Sequence, residues 1–169
     1  MQRDTVTWTT ALREAARSGT VASIVSTLVL VACGRREHDD AAQPMNGPSQ
    51  WVWGRSAPYA AGFSARHTVV GYAIHHAMSI LWAVLFERYR PRREAAMAAT
   101  ATAAAATAAV AAAVDFRIVP KRLSPGFEAR LSRPALLAVY AGFAVGLASA
   151  ACWRASGLSD RRRDSTRRY

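Results

Sequence analysis

Lysine is almost missing from this 169-residue chain: its 22 basic residues include one lysine, set against 11 acids, for a net charge of +11. Arginine in place of lysine, with abundant alanine, points to a GC-rich bacterial genome. Cysteine is nearly as scarce, with Cys33 and Cys152 alone. They fall at the ends of the first and last apolar blocks, which the topology argued below puts on opposite membrane faces, so no disulfide is expected. No Cys-x-x-Cys, no His-Glu-x-x-His and no carboxylate cluster occurs, so no complete metal-ligand set is legible. Neither is a nucleophile–base–acid constellation, which argues against a self-contained hydrolase and predicts no catalytic residue and no cofactor.

Charge is also missing from four long blocks. A soluble bundle would carry charged faces inside its apolar segments, and these blocks lack them. The arginines gather at block ends and in a short tail, a pattern of topology signals and anionic headgroup contacts rather than of nucleic-acid binding. The expected fold is therefore all-α: a polytopic membrane protein, a bundle of four transmembrane helices over residues 18–34, 67–86, 95–114 and 135–153, with two outward-facing loops. Residues 1–17 form a lead-in and 154–169 a basic tail.

Residues 67–86, HTVVGYAIHHAMSILWAVLF, organise the rest. Twenty uncharged residues at about 1.5 Å rise span about 30 Å, the thickness of a bilayer's hydrocarbon core. Placed about 100° apart, the residues divide into two arcs. One carries His75, Thr68, Ser79, Tyr72, His76, Trp82, Phe86, Ala83, Val69 and Glu87, and is expected to face other helices. The other, with Ile80, Ala73, Val84, Ala77, Val70, Leu81, Ile74, Leu85 and Met78, is expected to face lipid. The candidate polar intramembrane face is thus His67, Tyr72, His75, His76, Ser79 and Glu87. Intramembrane histidines serve as metal or haem ligands, as proton relays, or as hydrogen-bonding groups that hold a bundle together. His75 and His76 point about 100° apart and His67 lies about 12 Å from His75, so they do not converge on one metal, and the structural role is favoured.

Two ladders of small residues let helix backbones approach closely. The first is Ala15, Gly19, Ser23 and Thr27; the second is Ala138, Gly142, Gly146 and Ala150. Gly71 is a further packing position. Residues 95–114 contain fourteen alanines. Such a segment forms helix readily but anchors weakly in lipid, so an inner position packed on partners is expected. Leu30–Gly34 has the look of a lipobox ending at Cys33, but Asp4 and Glu14 in the start and three later apolar segments favour a spanning helix. In the 35–66 loop, Ser49 is placed to cap a short turn, with Trp51 and Trp53 as interfacial anchors. The 115–133 loop is expected to carry a short surface helix capped by Ser124, with Phe127 and Leu131 on one face, and a pairing of Asp115 with Arg117. Basic residues number 13 in the start, the 87–94 connection and the tail, against 9 in the two longer loops, which predicts both termini in the cytoplasm.

The runs NGPSQWVWG, RHTVVGYAIHHAMSILWAVLFE and DFRIVPKRLSPGFE resemble a family of uncharacterised proteobacterial inner-membrane proteins of four helices. The resemblance covers most of residues 18–150, and HT-x-x-GYAIHH-x-x-SI-x-W is its distinctive part. It implies architecture and location in the bacterial inner membrane without an assigned activity. The reading from sequence is a structural, accessory or stress-related membrane protein. Its partners would be the lipid bilayer, anionic headgroups on the tail arginines, and a second copy or another membrane protein. The alternatives are a small oligomeric transporter or channel using the polar face, assembled through the glycine ladder, and a haem- or metal-binding subunit using His75 and His76.

Overall fold

The computed structural model describes residues 6–91 and 97–166, with side chains as far as Arg154. Helix α1 spans Trp8–His38. Thr7 opens it by accepting the Thr10 amide at 3.3 Å, and Asp39 closes it with φ at 55°. Two short helices follow, α2 over Gln43–Asn46 and α3 over Gln50–Trp53, joined by a 3-10 turn. A wide π-helical turn, Ala65–Val69, leads into α4, Val70–Tyr89. Helix α5, Met97–Ala113, runs out through a second π-helical turn, Val114–Ile118. Helix α6 spans Arg133–Thr166. The chain is all-helical, with no strand among the described residues, and four of its helices are long and apolar enough to cross a membrane. Helices α1 and α6 extend beyond the uncharged blocks at residues 18–34 and 135–153, α6 continuing into the basic tail. Of the tail arginines expected on lipid headgroups, Arg154 is described and bonds Glu87, and the side chains of the others lie outside the described residues.

The small-residue ladders decide the packing order. A Cβ on Gly19 would lie 2.6 Å from the Ile80 Cα, so α1 and α4 touch backbone to backbone there. On the neighbouring ridge of α1, a Cβ on Gly146 would lie 2.4 Å from the Ala22 Cα, and one on Gly142 would lie 2.9 Å from the Val29 Cγ2. Helix α1 is therefore the central helix, approached by α4 and by α6 on adjacent ridges. Helix α5 packs chiefly on α6, through the four-residue stripe Thr100, Ala104, Ala108 and Ala111. The inner position expected for this alanine helix falls instead to α1, whose two small-residue ridges admit two neighbours, whereas α5 offers only one buried stripe. The Gly142 and Gly146 ladder is consumed inside the chain.

The flat helical wheel also needs correction. The exposed side chains of α4 are Val69, Ala73, Ala77, Leu81, Leu85 and Tyr89. They climb the i+4 ridge, which drifts about 40° around the helix at each step, because α4 crosses its neighbours at an angle. Hence Val69 is exposed at one end, while Ile80 and Val84, assigned to lipid, face α1 at the other end. Of the other inward residues, Thr68, Ser79, Ala83, Phe86 and Glu87 are buried, and Tyr72, His75, His76 and Trp82 are half-buried.

The end of the bundle bearing the long connections is closed by a cap. Pro44 to Gln50 are all buried. Gly71 meets this segment so closely that a Cβ would lie 2.0 Å from the Met45 carbonyl. Asn46 is its polar centre: the amide donates to the carbonyls of Ala60 at 2.8 Å and Gly62 at 3.1 Å and accepts from Thr68 Oγ1 at 2.7 Å. Asp40 accepts the amides of Ala42, Gln43 and Gly62, and the Gly62 bond above all holds its carboxyl below the ordinary range. The two loops are joined by Gln50, whose Nε2 donates to the carbonyls of Ser124 at 2.8 Å and Lys121 at 3.2 Å. Glu37 accepts from the Ser132 amide at 2.9 Å and hydroxyl at 2.5 Å at the start of α6. Phe127 and Leu131 do share one face, but that face is buried against Leu30 and Met45 rather than laid on a surface.

Candidate ligand cleft between α4, α5 and α6

Because α1 holds α4 and α6 on separate ridges, and α5 follows α6, helices α4 and α5 diverge. Under the loop cap the space between them is a cavity of about 160 Å³, and nearer the terminal end a second, more open one lies between Leu85, Tyr89, Ala103 and Thr107. The α4 wall of the capped cavity is Ile74, His75, Met78, Ser79 and Trp82; α5 and its π-helical turn add Ala111, Val114 and Asp115; α6 adds Val139, Tyr140 and Phe143. The cap supplies Trp51, Leu123, Pro125 and Phe127. Most of this surface is apolar and aromatic. The Trp82 indole adds an N–H to the wall, and its hydrogen-bonded polar groups are Ser26, His75, Ser79, Asp115, Tyr140 and the Trp51 indole.

Each has a definite partner. Ser26 Oγ donates to the Ala22 carbonyl at 2.8 Å and so accepts from His75 Nε2 at 2.9 Å. Ser79 returns its hydroxyl to the His75 carbonyl at 2.8 Å. Tyr140 donates to Asp115 Oδ2 at 2.6 Å, and Phe116 meets the Tyr140 ring edge-on at 5.6 Å. Asp115 does not pair with Arg117 as expected: the wide turn at the end of α5 aims it back at α6. Trp51 is half-buried in the cap. Its indole donates to the Ser124 carbonyl at 3.2 Å, and its ring lines the cavity. Trp53 is exposed, with Arg66 over its ring at 4.5 Å and its indole on the Arg66 carbonyl at 2.8 Å.

The candidate polar face is thus split among several duties. His67 Nδ1 binds Ser49 Oγ at 3.2 Å; that hydroxyl donates to the Asn46 carbonyl at 2.7 Å, so it does not cap α3 as expected. Tyr72 and His76 stack at 5.7 Å, with His76 Nδ1 buried and unpartnered among the described residues. Ser23, counted as a packing residue, is fully buried on α1. Glu87 lies far from the cleft, wholly buried at the terminal end, where Arg90 Nε reaches it at 2.7 Å and Arg154 Nη2 bonds its other oxygen. Arg88 beside it lies over the rings of Trp8 at 5.2 Å and Tyr89 at 5.4 Å. His75 and His76 diverge, and among the described residues no three His, Cys, Asp or Glu side chains converge on a point that would hold a metal ion.

No protein-family model, no curated protein and no solved structure matches the chain.

Proposed function

We propose that this is a non-enzymatic accessory protein of the bacterial inner membrane, and that it binds a small, largely apolar molecule in the cleft between α4, α5 and α6. In this reading the chain belongs with the small four-helix inner-membrane proteins its motifs resemble, both termini are cytoplasmic, and the capped end faces outward. The cavity carries the proposal. The crossings of α1 with α4 at Gly19 and with α6 at Gly146 are tight enough to exclude a single methyl group, yet about 160 Å³ is left open beside Trp51, Trp82 and Tyr140. A space of that size lined by apolar and aromatic side chains takes one ring-sized guest, as engineered apolar cavities of about 150 Å³ take benzene. The intramembrane histidines support it indirectly, since their hydrogen bonds go to serines of α1 and of the cap.

A deletion strain complemented by variants tests the reading. His75→Ala and His76→Ala, which loosen packing, are expected to complement the deletion. Val139→Trp, which fills the cleft, is expected to fail while accumulating in the membrane at the normal level. Full complementation by Val139→Trp at that level overturns the proposal.

A further inference from the structure

We propose that the cleft's ligand is a hydrophobic organic cation, a protonated amine or quaternary ammonium, held with its charge beside Asp115 and its apolar part against the aromatic walls. The inference rests on the cleft being the ligand site and adds the chemistry of what enters it.

The chain has twice as many basic as acidic residues, 22 against 11, yet among the described residues no lysine or arginine lines the cleft. The one side chain on its wall that carries a formal charge is Asp115. That carboxylate has no basic partner within ion-pair distance among the described residues; its hydrogen bond is to the Tyr140 hydroxyl. A partly buried carboxylate normally finds a counter-charge, and here the place left for one is the cleft itself. Glu128 deepens the same field. It lies close enough to Asp115 to interact with it, Ser124 binds its Oε1, and its Oε2 is buried without a partner. The rings of Trp51, Trp82, Phe127, Tyr140 and Phe143 complete the walls. Aromatic faces are negative at their centres and attract cations, most strongly when water is excluded. An anionic ligand would meet the Asp115 carboxylate, with Glu128 behind it, and no cation among the described lining residues. A neutral one would leave Asp115 without its counter-charge.

The volume restricts the guest to about one ring with a compact head. The probe is therefore benzyltrimethylammonium, whose charge is permanent, beside its uncharged carbon isostere neopentylbenzene. Each is equilibrated by dialysis against the full chain in phosphatidylcholine nanodiscs, with empty nanodiscs subtracted as the blank. Saturable binding of one benzyltrimethylammonium per chain is expected, at least about tenfold tighter than neopentylbenzene. Asp115→Asn, which keeps an acceptor for Tyr140, is expected to weaken the cation about tenfold or more and leave the isostere unchanged. Val139→Trp is expected to abolish both. Equal binding of the two probes by the unmodified chain, or binding of the isostere alone, overturns the cation inference and leaves the cleft reading standing. Absence of saturable binding of either probe overturns both.

Discussion

Placing a single methyl group at Gly146 tests the packing argument without touching the cleft. The added Cβ would lie 2.4 Å from the Ala22 Cα, 2.9 Å from its nitrogen and 3.1 Å from the Val21 carbonyl oxygen, all of them backbone atoms. Carbon atoms rest at about 3.5–4.0 Å, so α1 and α6 must separate by about 1 Å or more at this crossing. Rotamer changes cannot relieve a clash with backbone. The expected cost of Gly146→Ala is about 1–3 kcal/mol, the usual range for overpacking. Gly142→Ala meets only the Val29 Cγ2 at 2.9 Å, with the next atom 3.7 Å away, so a rotation of Val29 absorbs it and the expected cost is below about 1 kcal/mol. Ala141→Val, on an exposed position, is the control for added volume and is expected to be neutral. Unfolding free energies in mixed micelles, read by SDS titration, should rank the three in that order. Equal values, or a change in oligomeric state in place of lost stability, would show that this ladder packs against something other than α1.

Three further outcomes follow from the cap and the terminal end. Asn46→Leu strips the carbonyls of Ala60 and Gly62 and the Thr68 hydroxyl of their partner; a loss of about 1–3 kcal/mol and faster proteolysis within residues 54–64 are expected. The Asp40 carboxyl titrates lower in the folded chain than in the unfolded one. Its contribution is therefore present above the unfolded value of about 3.9 and is lost as pH falls through the folded one, read as faster hydrogen exchange at the Gly62 amide in that acid range and, in Asp40→Asn, at neutral pH. Glu87→Gln leaves Arg154 without its buried counter-charge and Arg90 with only Glu14, at 4.0 Å, and should cost about 3–5 kcal/mol in thermal or SDS unfolding, more than Glu87→Gln adds to a chain already carrying Arg154→Gln.

The four spans were legible because lipid imposes its requirement on each helix separately: an uncharged run of sufficient length reads as a span whatever surrounds it. The two glycine ladders were legible for a similar reason, since a small-residue ridge is a local property. Which helix each ladder meets is not local, and so α5 was expected inside and is found at the edge. The wheel of α4 identified Thr68, Ser79 and Glu87 as inward but smeared Ile80 and Val84 into the lipid arc, because a flat projection ignores the crossing angle. The cleft was illegible. It exists where α4 and α5 fail to meet, and no residue pattern records a missing contact. Its lining mixes residues from both arcs, Ile74 and Met78 with His75 and Ser79. Asp115 carried a readable signal, an acid at the end of a long alanine helix. Its nearest sequence partner, Arg117, concealed the role, because the π-helical turn that aims Asp115 at Tyr140 cannot be seen in spacing.

One ratio of modification rates tests the cleft and its charge most directly. Ser79 lines the cleft, and Ser79→Cys in a background of Cys33→Ser and Cys152→Ser puts one thiol there with little change in shape. Its reaction with a methanethiosulfonate bearing a trimethylammonium group is compared with that of the equally small sulfonate-bearing reagent. The ratio is normalised to Ser56→Cys in the same background, outside the cleft on the loop. A cleft open to small cations predicts reaction at position 79 and a normalised preference for the ammonium reagent of about tenfold or more. A thiol that reacts with neither reagent would mean that the cleft is closed, and a normalised ratio near one would mean that Asp115 does not govern what enters it.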